Sequence, residues 1–161
     1  MLPLFTLLSV LLLTGADQLL KYVVIQNLRD REPFVLIPHV LQLHYTEHDG
    51  AMMGLLQGKT LLMIVLALAV FGVLLYLVFS KKIRFGLVYC CLVAILAGGL
   101  GNLIDRIFRG FVVDYIEALF VRFYIFNFAD CLITVGAFLI VIYEIIEMIR
   151  DGKQKKVNAH G

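Results

Sequence analysis

The sequence contains no tryptophan, few cysteines and prolines (three of each), and a charged fraction of only 16% in 161 residues. Ordinary domains are about 25% charged and about 45–50% apolar, whereas this chain is 61% hydrophobic with a mean hydropathy of +0.95. A chain of 18.2 kDa has too little interior to hide that much hydrocarbon from water, so a soluble globular domain is excluded and lipid is the solvent. A net charge of +2, spread along the chain, gives no electrostatic footprint for nucleic acid. Cys90, Cys91 and Cys131 lie inside apolar runs and read as small core residues, not as disulfides or metal ligands.

What is abundant is long apolar sequence. Four stretches, about residues 2–28, 60–79, 85–108 and 127–149, each approach the roughly 20 residues that carry a helix across a bilayer. The expected fold is mainly α and integral to the membrane, one embedded domain over residues 1–161 with four transmembrane helices. The first run has no Lys or Arg before it and continues through Leu19, Leu20, Tyr22, Val23 and Ile25, so it reads as a retained helix, not a cleaved leader. Lys81, Lys82 and Arg84 between the second and third runs, and Arg150, Lys153, Lys155 and Lys156 in the tail of residues 150–161, place that loop and both termini in the cytoplasm by the positive-inside rule. Segments 29–59 and 109–126 then face outward. The first holds Phe34-Val35-Leu36-Ile37, Pro38, and a stretch where Leu41, Leu43 and Tyr45 alternate with Gln42 and His44, the pattern of a small extracytoplasmic sheet. The second, around Val112-Val113-Asp114-Tyr115, is too short to span. It is expected to lie at the interface as a strand or helix end, or as a lid that meets substrate through Phe111, Val113 and Tyr115.

Against this background the polar residues inside the helices stand out. A charge at a helix centre costs about 2.5–3.5 kcal/mol on insertion scales and is a functional hypothesis by default. Asp17 and Lys21 lie in the first helix, Asn102, Asp105 and Arg106 near the end of the third, and Asn127 and Asp130 at the start of the fourth. At ~1.5 Å per residue all fall in the outer half of the membrane, with Asp114 joining from the outer segment. A transport pathway would need polar steps through the whole thickness. Ala94/Gly98 and Ala97/Gly101 are small-xxx-small pairs that suit close helix packing.

Carboxylates at one depth suggest acid–base chemistry. Two close aspartates do not both ionise easily, so one keeps its proton while the other takes one from water. Asp105, Asp114 and Asp130 are the candidates. Spacing alone does not choose the pair; Arg106 directly follows Asp105 as a charge partner for it or a neighbour, which makes Asp105 the better structural candidate and leaves Asp114 and Asp130. Asp17 and Lys21 match a helix ion pair at i,i+4, and Asp130 beside Asn127 matches a helix cap. His44 and His48, with Glu47 and Asp49, lack the order of a zinc-protease helix motif, so no metal is expected.

The motifs Asp17-Gln18-Leu19-Leu20-Lys21, Gly98-Gly99-Leu100-Gly101-Asn102-Leu103-Ile104-Asp105-Arg106, Val112-Val113-Asp114-Tyr115 and Phe126-Asn127-Phe128-Ala129-Asp130, in that order and spacing, resemble the bacterial lipoprotein signal peptidases, or signal peptidase II. The resemblance covers nearly the whole chain. It implies an intramembrane aspartyl endopeptidase without metal or cofactor, cutting diacylglyceryl-modified prolipoproteins before the lipidated cysteine, with Asp114 and Asp130 as the catalytic pair. It further implies that Asp17, Lys21, Asn102, Asp105, Arg106 and Asn127 shape or support the substrate site. Asn127 would bond the scissile backbone and Arg106 a carbonyl of the signal peptide or inhibitor. Implied partners are membrane lipids and cyclic peptide inhibitors such as globomycin, acting on a monomer in the bacterial plasma membrane with the site toward the outer leaflet.

One motif departs. The family's Asn-x-Gly-Ala-Ala-aromatic pattern is replaced by His48-Asp49-Gly50-Ala51-Met52-Met53. Gly50 remains a site-supporting candidate. His48 is either a titratable element of the site, active between about pH 5 and 8, or a plain surface loop residue. Two further functions compete: a proton-coupled transporter using Asp17, Asp105 and Asp130 as a relay, and a noncatalytic membrane scaffold that binds lipoproteins.

Overall fold

The structure, a computed structural model, describes residues 2–48, 59–80, 83, 85–120 and 125–159, with backbone alone for 2, 3 and 153–159. Its order is α1 (Leu2–Leu28), β1 (Phe34–Ile37), β2 (Leu41–His48), α2 (Thr60–Phe79), α3 (Leu87–Phe108), β3 (Val112–Ala118) and α4 (Phe128–Ala159). Each of the four helices is long and apolar enough to cross a membrane, and the protein is a multi-pass membrane protein. Leu12, Leu61 and Phe108 point their side chains outward, which only a lipid surround makes favourable. Two bounds differ from the sequence reading. α3 begins after Gly86, and α4 runs on to Ala159 past the end of the apolar run near residue 149, through a segment that has Arg150, Lys153, Gln154, Lys155 and Lys156 as helix formers and no proline to stop it.

α3 is the axis of the fold: it packs on α1, α2 and α4, and 56% of its span is buried against 28% or less for the others. In lipid such packing is driven by close backbone approach, not by escape from water. A Cβ on Gly98 would lie 2.5 Å from the Ala129 carbonyl oxygen, and one on Gly101 would lie 2.5 Å from Asp17 Oδ2. The small residues are therefore what let α1 and α4 reach α3.

The strands form one antiparallel sheet in the order β1-β2-β3. β1 turns into β2 through Pro38 and His39, the latter at φ 62°, with the Val40 N–H bonded to the Ile37 carbonyl at 3.0 Å. Proline followed by a positive φ is the pattern of a type II turn. β3 is the buried strand. Val113 and Tyr115 pack on Val24 and Phe128, so these two side chains belong to the protein's own core and not to a lid face. Phe126 bridges to Ile116 on the free side of β3, which delivers the start of α4 beside Asp114.

Candidate active site

Lys21 is fully buried, and its ammonium lies 2.9 Å from each of Asp17 Oδ2, Asp105 Oδ2 and Asn102 Oδ1, so all three N–H bonds have an acceptor. Asp17 Oδ1 accepts the Ala129 backbone N–H at 3.1 Å, one of the orphan donors at the start of α4. Asp105 Oδ2 accepts the Val113 N–H at 3.2 Å, and Asp105 Oδ1 is bonded by Arg109 and by Gln18 Nε2 at 3.1 Å. Two buried carboxylates thus meet two cations, and the cluster pins α1, α3, β3 and α4 together at one end of the bundle. Such a cluster is tolerable in a low-dielectric interior only because its charges are paired and its hydrogen bonds made.

A second set of side chains grows from the same residues. Asn102 donates from Nδ2 to Asp130 Oδ1 at 2.8 Å, while its Oδ1 is held by Lys21 and, at 3.2 Å, by Asn127 Nδ2. Asn127 Nδ2 also donates to Asp114 Oδ1 at 2.6 Å. Asn127 is the N-cap of α4: its Oδ1 accepts the Asp130 N–H at 3.0 Å, and Asp130 Oδ2 accepts the Asn127 N–H at 3.2 Å, the reciprocal arrangement of a capping box. Asp114 on β3 and Asp130 on α4 are therefore linked through two asparagine amides. Burial first, and then the charge of Asp130, push the Asp114 carboxyl up to about 7, against the opposing effects of Asn127, Lys21 and Arg106. Both oxygens of Asp130 accept N–H bonds, Oδ1 from Asn102 and Oδ2 from the Asn127 backbone.

His48 ends β2 and is not in a loop. Its Nδ1 lies 3.4 Å from Asp114 Oδ2. A bulge explains the contact. Leu43 pairs with Ile116 but Thr46 with Asp114 and His48 with Val112, so β2 gains one residue on β3 between them. In the unbroken register Glu47 would stand opposite Val112 and next to Asp114; the extra residue moves every later side chain to the other face and puts His48 there instead. The plain loop reading of His48 is thereby corrected. His44 faces Glu117 at 3.0 Å, so the two histidines go to different carboxylates.

Beside this polar set lies a cavity of about 330 Å³ between α2, α3 and α4. Leu66, Phe71 and Leu74 of α2, Ile95 of α3 and Ile133 of α4 make its wall apolar, and Asn102 and Arg106 give it one polar end. Arg106 donates to its own helix at the Asn102 carbonyl, 3.3 Å away, and the carboxylates acting on it most strongly are Asp130 and Asp114, ahead of Asp105.

Comparison with known proteins settles what this arrangement is related to. The family described as Signal peptidase (SPase) II matches residues 9–146. The chain belongs to the signal peptidase II family. Lipoprotein signal peptidases of Clostridioides difficile and Streptococcus pneumoniae are each 41% identical, over 85% and 87% of this chain and 92% of each relative. That of Lactobacillus johnsonii is 37% identical over 88% of this chain and 92% of its own length. A bacterial membrane enzyme solved by the in meso method at 2.3 Å resolution shares 30% identity at a TM-score of 0.80, over 89% of both chains. Another at 1.9 Å resolution shares 31% at a TM-score of 0.77, over 86% of this chain and 91% of that one.

Set on the signal peptidase II fold, the residues singled out from sequence fall into groups. Asp17, Lys21 and Asp105 form the buried ion cluster, and Asn102, Asn127, Asp114 and Asp130 form the amide-linked set. Asp105 takes Lys21 and Arg109 as its ion-pair partners. Arg106 is turned about 100° away from Asp105 by the helix, so of the two partners sequence adjacency offered it, Asp105 or a neighbour, Asp105 is taken by Lys21 and Arg109 instead. Gly50 and the rest of its loop motif lie outside the described residues, as do Lys81, Lys82 and Arg84. Gln18 and Arg109 were not singled out, although Arg109 stands at i+4 from Asp105, the spacing that would have found it. Arg109 also bonds Gln18 Oε1 at 3.0 Å.

Proposed function

We propose that this signal peptidase II removes the signal peptide from diacylglyceryl-modified prolipoproteins by hydrolysing the bond before the lipidated cysteine, with Asp114 and Asp130 as the catalytic pair. The observation that carries the reading is the placement of two carboxyl groups from separate elements, joined through Asn127 and through Asn102, whose side chain also lines the polar end of an apolar cavity. The cavity wall suits an apolar signal segment, and Arg106 at its rim suits a peptide carbonyl.

Below neutral pH Asp114 keeps its proton, which makes it the acid of the pair and assigns the role of base to Asp130. Asp130 takes a proton from water, whose oxygen attacks the scissile carbonyl carbon. Asp114 gives its proton to the carbonyl oxygen; the tetrahedral intermediate then collapses with the C–N bond breaking, Asp130 passing its proton to the leaving nitrogen and Asp114 retaking one from the diol hydroxyl. Asn127, bonded to Asp114, to Asn102 and to the Asp130 N–H, holds the two groups in register. Asp17, Lys21 and Asp105 support the site from below, and Gly50 is a further site-supporting residue by its place in the sequence motif.

The site faces the outer leaflet of the bacterial plasma membrane, with both termini cytoplasmic. That orientation rests on the basic residues of the 80–84 loop and tail. Substrate then arrives laterally with its acyl chains still in lipid. The protein acts as a monomer, and globomycin-type cyclic peptides compete for the same cavity. The test is to incubate the purified protein in lipid with a diacylglyceryl prolipoprotein and with its unlipidated form, and to map products by mass spectrometry. Cleavage before the lipidated cysteine, blocked by globomycin, is expected. Absence of cleavage in every lipid tried, with the substrate still bound, would favour the scaffold instead.

A further inference from the structure

We propose that His48 is a positioning residue that sets the protonation of Asp114, by placing a titratable cation against the one Asp114 oxygen that faces away from Asn127. Its catalytic consequence rests on the aspartyl peptidase reading above; the pairing itself does not.

The geometry is local and built. Asp114 Oδ1 is taken by Asn127 at 2.6 Å, while Oδ2 lies 3.4 Å from His48 Nδ1. The carboxylate is 8% exposed and the imidazole 25%, so the carboxylate is buried and the histidine covers it from a partly exposed position. The bulge is what selects histidine for this position over Glu47, a residue that would have repelled the aspartate. Glu47 is instead occupied by Arg29 at 3.3 Å and by the Tyr45 hydroxyl at 2.6 Å.

Among the described residues, the other charged groups near the pair have partners of their own or act on Asp114 from other elements. From β3, Glu117 is bonded by Gln42 and His44; from α1, Lys21 is committed to Asp17 and Asp105. Arg106 of α3 and Asp130 of α4 act on Asp114 from the cavity side with opposite sign. His48 acts from the sheet side, and its directly opposite residue, Val112, is apolar.

Histidine is the side chain that ordinarily changes charge between pH 5 and 8, the range into which burial and Asp130 push Asp114. When His48 holds the proton, the imidazolium stabilises the Asp114 carboxylate; when it is neutral, Asp114 keeps its own proton and remains the acid of the catalytic pair.

The test uses His48→Asn and His48→Gln, which keep an amide N–H without the charge, and His48→Lys, which keeps the charge without its titration. Asp114 protonation is followed by infrared difference spectra of carbon-13 aspartate-labelled protein, with Asp114→Asn assigning the band. The pH dependence of kcat/KM is followed on a diacylglyceryl prolipopeptide. An opposite charge within ~4–6 Å moves a carboxyl by about 1–3 units, and partial exposure places this pair at the lower end. The Asp114 midpoint and the alkaline limb of kcat/KM are both expected to rise by about one pH unit in the two amide variants and to fall below these in His48→Lys. An unmoved midpoint in the amide variants overturns the pairing. A moved midpoint with an unmoved alkaline limb overturns the positioning role. A moved midpoint in a protein that cleaves nothing upholds the pairing and sinks the peptidase reading instead.

Discussion

Removing the Lys21 ammonium is the perturbation whose cost the structure specifies best. The side chain is fully buried and is the ion-pair partner, among the described residues, of Asp17 and one of two for Asp105, whose other is Arg109. Lys21→Met keeps the apolar stem and deletes the charge. Asp105 retains Arg109, so the uncompensated charge is essentially that of Asp17. Breaking one buried pair by removing a single partner costs about 3–5 kcal/mol, and for a chain of this size that corresponds to roughly 6–20 °C in Tm. Thermal unfolding in detergent can be read with a thiol-reactive fluorogenic dye, since Cys91 is buried and the chain has no tryptophan. Adding Asp17→Asn to Lys21→Met removes the stranded carboxylate and is expected to recover more than half of the loss. A Lys21→Met protein within about 1 kcal/mol of the parent, below the range for a broken buried pair, would refute the reasoning. So would a double variant no more stable than the single.

Three further outcomes follow from the same geometry. Gly98→Ala and Gly101→Ala place a Cβ 2.5 Å from the Ala129 carbonyl and from Asp17 Oδ2, and each is expected to cost about 1–3 kcal/mol by overpacking. Gly99→Ala, which meets nothing within 4 Å, should be neutral or stabilising by up to about 1 kcal/mol, as the same dye assay would report. Because Asp114 is pushed from 3.8 up to about 7 in the fold, the native state binds its proton more tightly than the unfolded chain. Its stabilising contribution is full below pH 3.8 and lost as pH rises through about 7; Tm measured between these limits should fall less steeply in Asp114→Asn than in the parent. Asn127→Ala removes the α4 cap and both side-chain amide links, and is expected to cost about 1–2 kcal/mol while lowering kcat more than it raises KM, measurable by steady-state cleavage.

The helices were legible because hydropathy over about 20 residues is a strong signal that no local detail overrides. The buried polar residues were legible for the complementary reason: in lipid every one of them is costly, so their presence alone marks them. Their pairing was less so. Asp105 sits next to Arg106 in sequence, but helical rotation gives it Lys21 and Arg109 instead. The alternation of Leu41, Leu43 and Tyr45 announced a strand, yet the bulge after Leu43 reverses which residues face β3's Asp114, and a bulge depends on pairing between distant segments. That is why His48 read as a loop residue. Asp130 read as a helix cap, whereas the cap is Asn127 with Asp130 as its reciprocal partner; that the Asn127 amide also joins Asp114 to Asn102 depends on Phe126 pinning the start of α4 to β3.

The central claim is that Asp114 and Asp130 together activate water. The most direct measurement compares cleavage of a diacylglyceryl prolipoprotein by the parent, Asp114→Asn and Asp130→Asn in one lipid environment, with the thermal unfolding of each recorded alongside. General acid–base groups contribute about 10²–10⁴-fold, so each variant is predicted to lose at least ~10² in kcat while remaining folded and still binding substrate. A folded variant at either position that cleaves at close to the parent rate would contradict the account.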